Sequence, residues 1–167
     1  MALWKNEAFV ADAYQAVAGD EALPEGAVIV PLARYLTDRE ALLGRNAPVG
    51  VALAPADKLD AIIADLPRLA IISLAFPKFS DGRAFSTARL LRERHGYRGE
   101  IRATGDVLFD RIDHMARCGF DAFSIVNEPT IAALTAGKRP GGPLAYQPTG
   151  QNAPEADAVK PWRRAAP

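Results

Sequence analysis

Two short stretches of the chain collect the residue types that handle oxyanions. The first is Pro77-Lys78-Phe79-Ser80-Asp81-Gly82-Arg83, and the second is Arg102-Ala103-Thr104-Gly105-Asp106. Arginine presents a planar fork of donors that matches a carboxylate, sulfate or phosphate, so Arg83 and Arg102, with Lys78 as a point charge, are the candidate oxyanion ligands. Asp81 and Asp106 are the candidate acid–base or orienting groups. The same aspartates also stand where helix N-caps belong, and Asp is a preferred cap. Arg102 is the sharper signal because it interrupts an apolar run. A guanidinium there needs either the open end of a strand or a carboxylate partner, for which Asp81 and Asp106 are the expected candidates.

Other chemically capable residues have simpler readings. Cys118 falls in the last turn of a helix, where the negative dipole end disfavours a thiolate, so a buried structural thiol is expected. His114 follows Asp110 by four residues and is expected to pair with it on a helix surface. Asn127-Glu128 reads as a turn or cap. There is no G-x-G-x-x-G, no G-x-x-x-x-G-K-[ST] and no C-x-x-C, so no dinucleotide, P-loop or redox-dithiol fingerprint is present. No cofactor is evident and no metal site is expected.

The elements that must position these residues follow from apolar periodicity. From Gly26 onward, apolar runs alternate with amphipathic stretches. The runs are Ala27–Leu32, Val49–Leu53, Leu69–Phe76, Glu100–Thr104 and Asp121–Ile125. Thr37-Asp38-Arg39-Glu40 has capping-box spacing and predicts a short helix starting at Thr37. Leu59, Ile62, Ile63 and Leu66 lie at i, i+3, i+4, i+7, which predicts a helix ended by Pro67. Further helices are predicted over 81–95, closed by Gly96, along Leu108, Ile112 and Met115, closed by Gly119, and briefly over 129–134. Alternation at this spacing predicts an α/β fold, a parallel five-stranded βα-repeat domain. It could be an open doubly wound sheet or a partial TIM-like barrel. Residues 1–25 read as an N-terminal extension, 26–137 as the domain, and 138–167 as a Pro-rich mobile tail.

Bulk composition narrows the partners. In 167 residues, 20 Lys and Arg balance 20 Asp and Glu, so no net field draws nucleic acid or a membrane. One cysteine excludes intrachain disulfides and fits a reducing, cytoplasmic setting. The start carries no secretory signal pattern. A homodimer through an uncapped sheet edge stays open.

Beyond these readings, the runs Phe76-Pro77-Lys78-Phe79-Ser80-Asp81-Gly82-Arg83, Ala88-Arg89-Leu90-Leu91-Arg92, Gly99-Glu100-Ile101-Arg102-Ala103, Gly105-Asp106-Val107-Leu108 and Arg117-Cys118-Gly119-Phe120-Asp121-Ala122-Phe123 form a long ordered pattern. From about Asn6 to Ile125 the chain closely resembles an uncharacterised bacterial family of domains of unknown function. Members of that family are described as probable oxidoreductases of sulfite reduction, being encoded beside sulfite reductase and other sulfate-assimilation enzymes. The resemblance implies a role in sulfate assimilation, as an enzyme or as an accessory protein, with sulfite reductase or phosphoadenylyl-sulfate reductase as partners. In a docking role, Phe79, Arg83 and Trp162 would be the contact residues. The resemblance carries over no catalytic residue.

Overall fold

The structure is a computed structural model that describes residues 1–19, 21–78 and 80–141. Its centre is one eight-stranded sheet. The chain enters through a hairpin, β1 (Ala2–Lys5) and β2 (Ala8–Val10), joined by Asn6 and Glu7, which both take positive φ. Two left-handed residues in a two-residue loop match the right-handed twist of paired strands. A short third strand, β3 (Tyr14–Ala16), follows, and then β4 (Ala27–Pro31).

Two helices come next, α1 (Leu32–Thr37) and α2 (Arg39–Leu43). The rest of the chain alternates β5 (Val49–Leu53), a 3-10 helix (Leu59–Arg68), β6 (Ile71–Phe76), α3 (Arg83–Arg89) running on into a π-helical turn (Leu90–Arg94), β7 (Glu100–Gly105), α4 (Phe109–Arg117), β8 (Ala122–Ile125) and α5 (Glu128–Thr135).

The order across the sheet is β2-β1-β8-β7-β6-β5-β4-β3. Strands β3 to β8 run parallel, while β1 pairs antiparallel with β8 and with β2. The fold is α/β, but the sheet is not the expected parallel five-stranded one. A sixth parallel strand and an antiparallel hairpin extend it at the two ends, and all three added strands come from residues 2–16, within the stretch expected to be an extension. Those segments are too short to show a period, and the hairpin joins the sheet only through β8, far along the chain.

The connection from β2 to β3 sets the shape. These strands lie at opposite edges of the sheet, yet only residues 11–13 join them. A flat sheet would hold its outer strands about 34 Å apart, seven spacings of about 4.8 Å. Three linking residues reach at most about 14 Å. The sheet therefore curls into a half-barrel, with the 11–13 link crossing its open side. That resolves the choice the sequence left open towards the barrel-like alternative.

The convex face carries the helices and the main core. Val28, Val30, Val51, Ile72, Leu74, Phe76, Ile101 and Phe123 point to this side and are buried. Phe76 meets Phe85 and Phe120 at ring-centroid distances of 5.0 and 5.6 Å, geometry favourable for aromatic pairs. The concave face is built differently. Aligned across it are the small residues Gly50, Ala52, Ser73, Ala75, Thr104, Ala122 and Ser124, together with the buried Leu3, Ile29 and Ile71 and the charged Lys5, Glu100 and Arg102.

Three local expectations need correcting, the first being the helix ended by Pro67, which is a 3-10 helix that runs through Pro67 to Arg68. The Thr37 capping box is not used, because α1 already starts after Pro31, and Thr37 closes it with its hydroxyl donating to the Ala33 carbonyl. His114 does not pair with Asp110. Its ring lies 4.7 Å from that of Phe85 and its Nε2 is 3.9 Å from Cys118 Sγ. Burial of the apolar ring face competes here with a solvated ion pair of small worth. Of the tail expected over 138–167, residues 142–167, Trp162 among them, lie outside the described residues, as does Phe79.

Candidate functional site

Arg102 stands in the middle of β7 and faces the concave side, away from the helices. It is 3% exposed. Its Nε donates to Glu100 Oε1 at 2.8 Å and its Nη1 to Asp12 Oδ2 at 2.7 Å. Glu100 is its neighbour two residues back on the same strand face, as period-two alternation requires. Asp12 arrives from the link that crosses the open side. The Tyr14 ring covers the guanidinium, with Cζ 5.7 Å from the ring centroid, a cation–π contact. Lys5 Nζ adds a second cation on Glu100 at 2.6 Å. Burial, then the nearby Glu100 carboxylate, pushes the Tyr14 hydroxyl above its ordinary pKa.

A cavity of about 300 Å³ opens beside this cluster. Pro31, Ala52, Ser73, Thr104 and Ser124, from five parallel strands, line it, with Arg102 and the β3 edge completing the wall. Four of those five residues lie at or next to the carboxyl-terminal ends of their strands, where parallel α/β sheets place ligands. Among the described residues Nη2 of Arg102 makes no hydrogen bond and is not sealed from solvent, so this edge of the guanidinium is open to a cavity occupant.

The other candidates lie outside this cavity. Lys78, Asp81 and Arg83 line a shallow depression on the outer rim after β6, together with Pro77, Ser80 and Gly82. Here Arg83 grips Asp81, with Nη2 to Oδ2 at 2.7 Å and Nε to Oδ1 at 3.0 Å. The Arg83 backbone N–H also donates to Asp81 Oδ1 at 3.2 Å. This pairing holds the Asp81 carboxyl below its usual pKa. The Arg83 side chain is 62% exposed. Asp106 begins the adjoining loop, its N–H donating to the Phe76 carbonyl at 2.7 Å. Lys78, Asp81, Arg83 and Asp106 thus share the rim. Arg102 does not join them, and its carboxylate partners are Asp12 and Glu100 rather than Asp81 or Asp106. Rotation of side chains by period two along β7 turns position 102 into the barrel.

Asp12, Tyr14 and Glu100 are members of the cluster that sequence reasoning missed. The one legible signal was Glu100 itself, two residues before Arg102 in the same strand. Asn127 is the N-cap of α5, its Oδ1 accepting from the Thr130 N–H at 2.9 Å and from the Thr130 hydroxyl at 2.7 Å. Cys118 is 3% exposed, and burial pushes its thiol above the ordinary value. Burial, then the nearby Arg117, pulls His114 below its own. Among the described residues no group of three or more His, Cys, Asp or Glu is placed to hold a metal ion, and no helix is long and apolar enough to cross a membrane.

The sequence model of one bacterial protein family of unknown function, DUF934, matches residues 50–155. The chain belongs to DUF934. The matched segment takes in the rim loop of Lys78, Asp81 and Arg83, the strand bearing Glu100 and Arg102, and the convex-face core around Phe76. Asp12 and Tyr14 come from the part of the chain before it. No curated protein sequence matches the chain.

Proposed function

We propose that this DUF934 protein is a cytoplasmic accessory component of assimilatory sulfite reduction, and that it binds a small anionic ligand in the cavity beside Arg102. The observation that carries the binding reading is a 3%-exposed guanidinium at the wall of a cavity at the strand ends. Glu100 and Asp12 already take its Nε and Nη1, and an oxyanion or carboxylate in the cavity would meet the guanidinium in the plane that arginine favours. The sulfite-reduction setting rests on the ordered motifs quoted from Phe76 to Phe123 and on the family they resemble. In this reading Lys78, Arg83, Asp81 and Asp106 form an outer rim. Reducing equivalents would come from a partner such as sulfite reductase or phosphoadenylyl-sulfate reductase.

One observation favours a second reading, a non-catalytic docking module. Arg83 projects from the rim with its guanidinium already oriented by Asp81, which resembles an interface anchor more than a free anion ligand.

Growth of a deletion strain separates the two. Failure on sulfate and sulfite with rescue by sulfide is expected for either reading. Complementation by Arg83→Ala but not by the cavity-filling Ala52→Leu supports ligand binding. The reverse pattern supports docking. A deletion strain that grows equally on all three sulfur sources contradicts both.

A further inference from the structure

We infer that the ligand of this cavity is an organic monocarboxylate with a short apolar body, and that its carboxylate takes the place of Asp12 on Arg102. The inference rests on the reading of the cavity as an anion site and names the ligand class.

Charge balance around Arg102 is the first argument. The cluster holds two cations, Lys5 and Arg102, and two anions, Asp12 and Glu100, at 2.6 to 2.8 Å. It is already neutral. Adding an anion to it leaves one uncompensated charge, and adding a dianion such as sulfate leaves two, in a wall that is largely apolar. Exchanging one carboxylate for another leaves the balance unchanged.

Only one of the two carboxylates can leave at small cost. The Glu100 side chain is 11% exposed and serves both Lys5 and Arg102. The Asp12 side chain is 26% exposed and meets one cation, Arg102, from a three-residue link whose residues are all exposed. Released from Arg102, the Asp12 carboxylate regains water, which repays most of a charged group's desolvation.

The walls specify the rest of the molecule. Val17, Ile29, Pro31 and Ala52 present hydrocarbon, and the hydroxyls of Ser73, Thr104 and Ser124 are spaced among them. About 300 Å³ is at the small end for organic-ligand sites. An apolar body gains from these walls and a bare inorganic oxyanion gains nothing.

The test titrates the folded, nitrogen-15-labelled full chain with hexanoate, n-hexanol and sulfate, following backbone amides. Hexanoate is expected to shift Ser73, Arg102 and Ser124 saturably, while hexanol and sulfate leave them in place at equal concentration. Asp12→Asn and Asp12→Ser, read in parallel so that one folded variant suffices, are expected to tighten hexanoate about tenfold by removing the competing carboxylate. Ala52→Leu is expected to abolish the shifts. Sulfate binding at these amides without hexanoate overturns the ligand class and leaves the anion site standing. Hexanoate binding that Ala52→Leu does not alter, or that the Asp12 variants do not tighten, overturns the exchange. No response to any of the three overturns both the inference and the anion site beneath it.

Discussion

Asp12 Oδ2 and Arg102 Nη1 lie 2.7 Å apart, although ninety residues separate them and Asp12 stands on the link between the two edge strands. On a flat sheet β7 would stand about 14 Å from β2 and about 19 Å from β3, the two strands that flank Asp12. The contact therefore records the curl, and the curl follows from a covalent limit, the three residues that join the two edges. The same link delivers Tyr14 over the guanidinium. The concave side holds Arg102 and its partners beside the buried Leu3, Ile29 and Ile71, with a cavity alongside.

The rim depends on Gly105. It ends β7 at φ 88°, and a Cβ added there would collide with the Phe76 carbonyl, which also accepts from Asp106. Gly105→Ala is expected to cost about 2–4 kcal/mol. Gly96→Ala, at φ 60° with open space around it, is expected to cost about 1 kcal/mol. Urea midpoints measure both, and equal losses would contradict the close approach of β6 and β7.

Buried Tyr35 and Asp65 form a second cluster closed by the exposed Arg39, with Tyr35 Oη donating to Asp65 Oδ2 at 2.8 Å and Arg39 clamping Asp65 at 2.7 and 2.8 Å. Burial, then the bond to Asp65, raises Tyr35 from 10.0 to about 12. A raised folded value gives stability that is complete below pH 10 and is lost as pH rises towards 12. Tyr35→Phe is expected to remove part of that alkaline loss, on the order of 1–2 kcal/mol. Buried Tyr97, also raised, keeps the remainder. Asp65, lowered chiefly by Arg39, gives the opposite limb, with stability present above the ordinary carboxylate value and lost as pH falls through the lower folded one. Asp65→Asn should flatten that acid limb in a pH series of urea melts. An unchanged limb would show that Asp65 is not held by Arg39.

Much of this architecture was legible. Runs such as Ile71–Phe76, apolar on both faces, and Ala122–Ile125 marked strands, because both sides of a covered parallel sheet are dry. Arg102 was legible as an anomaly for the same reason. What the sequence concealed was tertiary. Ala2–Lys5 and Ala8–Val10 are too short to show a period, and β1 gains its meaning only by pairing with β8, some 120 residues later. Asn6-Glu7 between two apolar runs was the signal that could have found the hairpin. Nothing local to Asp12 points to Arg102, since that contact exists only once the sheet has curled. The Thr37 capping box misled because a helix beginning after Pro31 had already claimed the residue.

Cys118 is expected to behave as an inert core thiol. It lies against the convex-face core with its thiol pushed up by burial, so little thiolate is accessible in the folded chain. A thiol-specific reagent at neutral pH is expected to label native protein at least about 100-fold more slowly than urea-unfolded protein. Comparable rates would contradict the burial.

The curled sheet and its inward arginine are tested most directly by a double-mutant cycle of Asp12→Ala and Arg102→Ala, read from urea unfolding at neutral pH. A coupling of about 1 kcal/mol is expected, because Asp12 supplies one of the two carboxylate contacts of a buried guanidinium, which keeps only Glu100 when Asp12 is removed. A coupling near zero would contradict the account, since the edge link could not then be resting on the guanidinium at the wall of the proposed site.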